Sequence, residues 1–231
     1  MPLLEVATGS TLGAVLGMRH ALEPDHLAAV STLVAEQRKS TRAMFLGVCW
    51  GLGHTAALVA VGVVLIGLRA QLSVRLADVF ELGVALMLIA LGTRAIRRAA
   101  RQGPAGPTAM HQHGPVVHRH SGTPSHVHVG AWTLARRPLL VGIVHGLAGS
   151  GALTALVVAT LPSTAARVTY MVLFGLGSTL GMAALSGLLG WPLARLGGHA
   201  RTWRTVSLVV GCLSTLLGVV WGAPLVGRLF R

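Results

Sequence analysis

Between Gly17 and Leu33 the chain reads GMRHALEPDHLAAVSTL, which places Arg19, His20, Glu23, Asp25 and His26 inside an otherwise apolar stretch. Two imidazoles and a carboxylate at this spacing suit a borderline divalent cation such as Ni2+, Co2+ or Zn2+, since nitrogen donors serve these ions better than Mg2+ or Ca2+. Ligand type alone does not choose among the three. An ionised side chain deep in a bilayer costs about 3 kcal/mol or more, so such groups are expected to line a polar pathway rather than lipid. His54, in Gly51-Leu-Gly-His54-Thr55, and His145, in Gly142-Ile-Val-His145-Gly146, are the further residues that could complete a ligand shell. Gly51, Gly53, Gly146, Gly149 and Gly151 around them permit close helix packing. Arg19 is expected to pair with Glu23 or Asp25, lowering the cost of burying charge. Glu23 has a second reading as carrier of a coupling proton.

Pro24 is the device that brings these groups together. It has no N–H and its ring crowds the carbonyl of His20, so the helix should open there. In an unbroken helix His20, Asp25 and His26 would diverge, at about 100° per residue. A break lets them converge, and non-helical backbone at membrane depth is tolerated where it lines a cavity.

The surrounding composition is that of an integral membrane protein. Of 231 residues, 53% are hydrophobic and 11% charged, and the mean hydropathy is +0.69. Nineteen basic residues against six acids, a net charge of +13, would suggest nucleic acid as partner in a soluble chain. Here the basic residues fall between apolar runs, where they face lipid headgroups and set orientation, so the bilayer is the expected partner and nucleic acid is not. Cys49 and Cys212 each lie in an apolar run and read as small packed hydrophobes. The N-terminus shows neither a basic n-region nor a cleavage pattern, so no cleaved signal peptide is expected.

Six runs are long enough to span a hydrocarbon core of about 30 Å. They cover about Thr11–Val34, Ala43–Leu68, Val74–Ile96, Pro138–Thr160, Thr169–Leu189 and Thr205–Val226. Lys and Arg concentrate in the connections after the odd-numbered runs, which predicts both termini outside and those connections in the cytoplasm, across the plasma (inner) membrane. Residues 101–137 form a Gly/Pro-rich linker threaded with His111, His113, His118, His120, His126 and His128, expected to be mobile and to collect metal weakly at the cytoplasmic face. His199 reads as a surface residue. The linker separates a first three-helix half, 1–100, from a second, 138–231. Gly17-Met-Arg-His20-Ala-Leu22 is echoed by Gly142-Ile-Val-His145-Gly-Leu147, and Gly51-Leu-Gly-His54-Thr55 by Gly175-Leu-Gly-Ser178-Thr179, at offsets of 125 and 124 residues. An odd number of spans per half forces the second half to insert upside down. The expected fold is therefore all-α and polytopic: six transmembrane helices in two inverted repeats, with helix 1 broken at Pro24, an architecture shared by many transporters.

His20-Ala-Leu-Glu-Pro-Asp25-His26 resembles the H-x4-D-H signature of the nickel/cobalt transporter family, and Leu52-Gly53-His54-Thr55 is similar to that family's second motif. The stretch looks closest to a branch of short membrane proteins labelled urease-accessory or nickel-transport-like. The resemblance implies that His20, Asp25 and His26 recognise metal with help from His54, in a permease for Ni2+ or Co2+ with no organic cofactor and no enzyme activity. A metal-acquisition or assembly partner fits the same branch. Two other classes compete: a non-transporting metal sensor or accessory subunit, and a membrane acyltransferase, whose catalytic signature is also H-x4-D. The H-E-x-x-H of a metalloprotease is absent.

Overall fold

The computed structural model describes residues 2–35, 37, 39–68, 70, 72–101, 109–113, 116–120, 131–148, 161, 163–196 and 200–230. Among them are seven helices: α1 (Pro2–His20), α2 (Pro24–Val34), α3 (Ser40–Leu68), α4 (Val74–Arg101), α5 (Ala131–Leu147), α6 (Thr164–Leu196) and α7 (Ala200–Leu229). The expectation of an all-α chain holds apart from one antiparallel hairpin, β1 (Ala109–His113) with β2 (Val116–His120), inside the stretch expected to be a linker. Its register sets His111 opposite His118. His126, His128, His199, Gly149 and Gly151 lie outside the described residues.

Among the described residues, three helices are long and apolar enough to cross a membrane, over Ser40–Leu68, Thr164–Pro192 and Arg201–Leu229. Two of the other three expected spans differ for visible reasons. The first is divided into α1 and α2, of 19 and 11 residues. α4 carries charge near both ends, at Arg75, Asp78 and Glu81 and again at Arg94, Arg97, Arg98 and Arg101. The fourth expected span, Pro138–Thr160, lies in part outside the described residues, which end at 148 there; α5 starts before Pro138, which stands inside it. Large apolar side chains such as Leu180, Leu216 and Val220 face outward, as a lipid solvent allows.

The helices pack as pairs around α3 and α6. α3 lies along α6 and α5, α1 along α6, and α4 along α7, while the short α2 is enclosed by α4, α6 and α7. Its buried Ala29, Val30 and Val34 join Trp50, Leu88 and Met182 in the main apolar core. Glycines set the closest approaches. A Cβ on Gly17 would meet the Phe174 carbonyl and come within 2.8 Å of the Ser178 amide nitrogen. One on Gly142 would meet the Trp50 carbonyl and come within 2.9 Å of the His54 nitrogen. These contacts connect positions that the sequence echo makes equivalent. Thr55 and Thr179, another echoed pair, touch through their hydroxyls at 3.0 Å, 124 residues apart.

Candidate metal centre

The break in the first run is built by local backbone chemistry. α1 stops at His20 because the Leu22 and Glu23 amides turn back onto the Arg19 and His20 carbonyls, at 2.9 and 3.0 Å. Glu23 is extended, with φ −64° and ψ 148°. Pro24 then enters α2 in its first turn, where a missing N–H leaves nothing unpaired. The interruption thus spans Ala21 to Glu23, just ahead of the proline. Asp25 falls in the first turn of α2, where the positive end of the helix dipole favours a carboxylate.

Reversing the chain there gathers side chains from four helices. His20 comes from the end of α1, Asp25 and His26 from the start of α2, His54 from the middle of α3 and His145 from the last turn of α5; all five are buried. Ring centroids of His20 and His26 lie 4.3 Å apart, His26 and His145 4.2 Å, and His20 and His54 5.2 Å. The carboxylates hold the rings from outside. Glu23 Oε1 accepts from His20 Nδ1 at 2.9 Å, Asp25 Oδ1 from His26 Nδ1 at 3.0 Å, and Asp25 Oδ2 from His145 Nε2 at 2.8 Å. A carboxylate on one ring nitrogen fixes the imidazole's orientation and raises the basicity of the other nitrogen, as around protein metal ligands.

The remaining nitrogens are what make the cluster chemically pointed. His20 Nε2, His26 Nε2, both nitrogens of His54 and His145 Nδ1 are buried without a hydrogen-bond partner among the described residues. Each such group costs about 1–3 kcal/mol if it stays unpaired. Ligand atoms of His20, His26 and His54 lie within 4.8 Å of one another, as do those of Asp25, His26 and His145. The arrangement is competent to hold a divalent ion through imidazole nitrogen.

All five residues expected at the centre are therefore together, and Glu23 is at its rim with 40% of its side chain exposed. The pairing expected for Arg19 is not found among the described residues: Arg19 is exposed, and both acids bond histidines instead. Two neighbours carry no mark in the sequence. Trp50 stacks on His26 at 5.4 Å and Phe174 sits 5.4 Å from His20. The echo that pairs His54 with Ser178, 124 residues apart, also pairs Trp50 with Phe174. Trp50 Nε1 and Ser178 Oγ are likewise buried without partners among the described residues.

An apolar helical bundle with spans suited to a membrane, enclosing a histidine and carboxylate cluster, defines a class: an integral membrane protein with a metal-type site in its interior. The chain belongs to the NicO family, described as high-affinity nickel-transport protein, whose pattern matches residues 9–224. It is similar to the urease accessory protein UreH of Bacillus sp. (strain TB-90), with 34% identity over 209 residues, covering 90% of this chain and 88% of that one. It is also similar to the Chloroplast proteins FOR GROWTH AND FERTILITY 2 and 1 of Arabidopsis thaliana, at 26% and 27% identity over 80% and 79% of this chain. The chain spans about half the length of those two plant proteins, 48% and 50%. No solved structure matches it.

Proposed function

We propose that the protein is a permease for Ni2+ or Co2+ that works by alternating access, with His20, His26 and His54 as the nitrogen ligands of the cargo. The observation that carries this reading is the convergence of their buried, unpartnered ring nitrogens. Membership of a nickel-transport family favours Ni2+ as cargo, and Zn2+ has a suitable ligand set here too. Asp25 and Glu23 orient the rings, and His145 supports Asp25 from the second half. No organic cofactor and no enzyme activity belong to this reading.

The same reading takes the chain as six spans in two inverted halves, 1–100 and 138–231, with both termini outside the plasma membrane. The glycine contacts support it, since Gly17 meets Phe174 and Ser178 as Gly142 meets Trp50 and His54. In such a fold the site lies between the halves and opens to one side at a time. The linker at 101–137 would face the cytoplasm and collect metal through His111, His113, His118, His120, His126 and His128. A second reading, a non-transporting subunit that hands nickel to an assembly partner, is favoured by the likeness to a urease accessory protein.

Radiometal flux into proteoliposomes of the purified chain separates the two. A permease moves 63Ni2+ down its gradient, and His26→Ala abolishes the flux. Tight binding with no flux in the unaltered protein supports the accessory reading instead.

A further inference from the structure

The cluster holds two overlapping triads, and they do not contain the same chemistry. His20, His26 and His54 offer three imidazoles, whereas Asp25, His26 and His145 offer two imidazoles and a carboxylate, each set with its ligand atoms within 4.8 Å. We propose that Asp25, His26 and His145 form a second metal position that shares His26 with the first, and that one ion moves from one to the other during transit. This deepens the permease reading and rests on it.

Three observations carry the step. His26 touches both terminal imidazoles, with ring centroids 4.3 Å from His20 and 4.2 Å from His145. His145 is fully buried and keeps a ring nitrogen without a partner among the described residues, although its other nitrogen already holds Asp25. A histidine needed only to hold Asp25 in place would have no use for a second buried, unpaired nitrogen, which costs about 1–3 kcal/mol. Finally, His145 stands in α5 where His20 stands in α1, each at the end of its helix and next to an aromatic ring of the opposite half: Trp50 lies 5.5 Å from His145 and Phe174 5.4 Å from His20. Each half thus supplies one terminal imidazole, and His26 is within reach of both.

The two positions exclude each other. A neutral imidazole has one nitrogen lone pair, with its proton on the other nitrogen. His26 therefore serves the first position through Nε2 while Nδ1–H stays on Asp25. Serving the second position through Nδ1 takes the other neutral tautomer, in which the ring's single proton sits on Nε2 and so withdraws Nε2 from the first; the ring carries one proton in both positions, and no proton is gained or lost overall. One ion per chain is the consequence, in two coordination environments.

The test uses the full chain, with Co2+ absorption and equilibrium dialysis for binding and 63Ni2+ flux in proteoliposomes for transit. His145→Gln keeps a hydrogen-bond donor for Asp25 but removes the imidazole, and His145→Ala removes both. Both variants are expected still to bind one ion, with a smaller loss of affinity than His54→Ala, the larger loss falling on His145→Ala because it also strips a hydrogen bond from Asp25, and to lose at least about tenfold in flux. His54→Ala is expected to lose binding itself. The inference is overturned if His145→Gln transports at the unaltered rate, if His145 variants lose binding as severely as His54→Ala, or if the unaltered chain binds two ions at once. Failure of the permease reading shows separately, as absence of flux in the unaltered chain, and removes this inference with it.

Discussion

At the scale of single residues, the two carboxylates of the centre have unequal duties. Asp25 is 2% exposed and holds two imidazoles at once, whereas Glu23 holds one and has 40% of its side chain exposed. Asp25→Asn keeps the volume but puts an amide where an acceptor for two ring N–H groups stood, so affinity for Ni2+ should fall about 10- to 100-fold. Glu23→Gln should change it by less than about threefold, because an exposed hydrogen bond contributes well under about 1 kcal/mol net. Titration calorimetry on the three proteins checks the order, and equal losses would mean that burial does not set the importance of these acids. Most of this centre is legible in the amino-acid sequence, since ionisable groups in an apolar run have few innocent explanations. Trp50 and Phe174 are not, because aromatic side chains in membrane-type helices are ordinary and only the three-dimensional neighbourhood marks these two. Arg19 misleads for a related reason. Its spacing to Glu23 fits an ion pair, yet the buried His20 ring competes for the same carboxylate at 2.9 Å.

At the scale of the element, helices in this chain are placed by close backbone contact rather than by intrinsic propensity. Glycine at a contact and glycine away from one should therefore behave oppositely. Gly83, in the interior of α4, has nothing within 4 Å of where a Cβ would lie. Gly83→Ala should stabilise the chain by about 0.5–1 kcal/mol through the lower entropy of the unfolded backbone, raising the melting temperature in detergent by a few degrees. A drop would mean that α4 has a neighbour at Gly83 that the fold does not account for. The three strongly apolar helices are readable from run length, and the interruption near Pro24 from proline chemistry. The strand pair Ala109–His113 and Val116–His120 is not, because its strands are short and rich in histidine and show no alternating hydrophobic face to mark their register. Nor does run length distinguish the three strongly apolar spans from α4, where charge near both ends sits beside a core-facing stripe of Val84, Ala85 and Leu88.

At the scale of the whole molecule, the two halves raise a question of equivalence. The sequence echo rests on short Gly-rich strings, which on their own say little about contacts. The packing adds an independent criterion, because a pair of halves related by exchange must show every off-axis contact twice. Gly17 against Phe174 and Ser178 has its counterpart in Gly142 against Trp50 and His54, and Gly51 against Thr179 has its counterpart in Gly175 against Thr55. The Ser214 hydroxyl donates to the Leu88 carbonyl at 3.0 Å, which ties α7 to α4 on the far side of the bundle. Exchange then makes an energetic demand. A methyl group introduced at either of two matched positions meets a carbonyl and an amide nitrogen in the same arrangement, so Gly17→Ala and Gly142→Ala should each destabilise by about 1–3 kcal/mol, the usual cost of overpacking a tight contact. Their costs should agree to within about 0.5 kcal/mol, and the double variant should be close to additive, since the two contacts share no residues. Unfolding in detergent, followed by helical circular dichroism, reads both quantities. A large cost at one position with none at the other would show that the halves resemble each other in sequence but carry different loads, and the proposal of alternating access would lose the structural symmetry on which it depends.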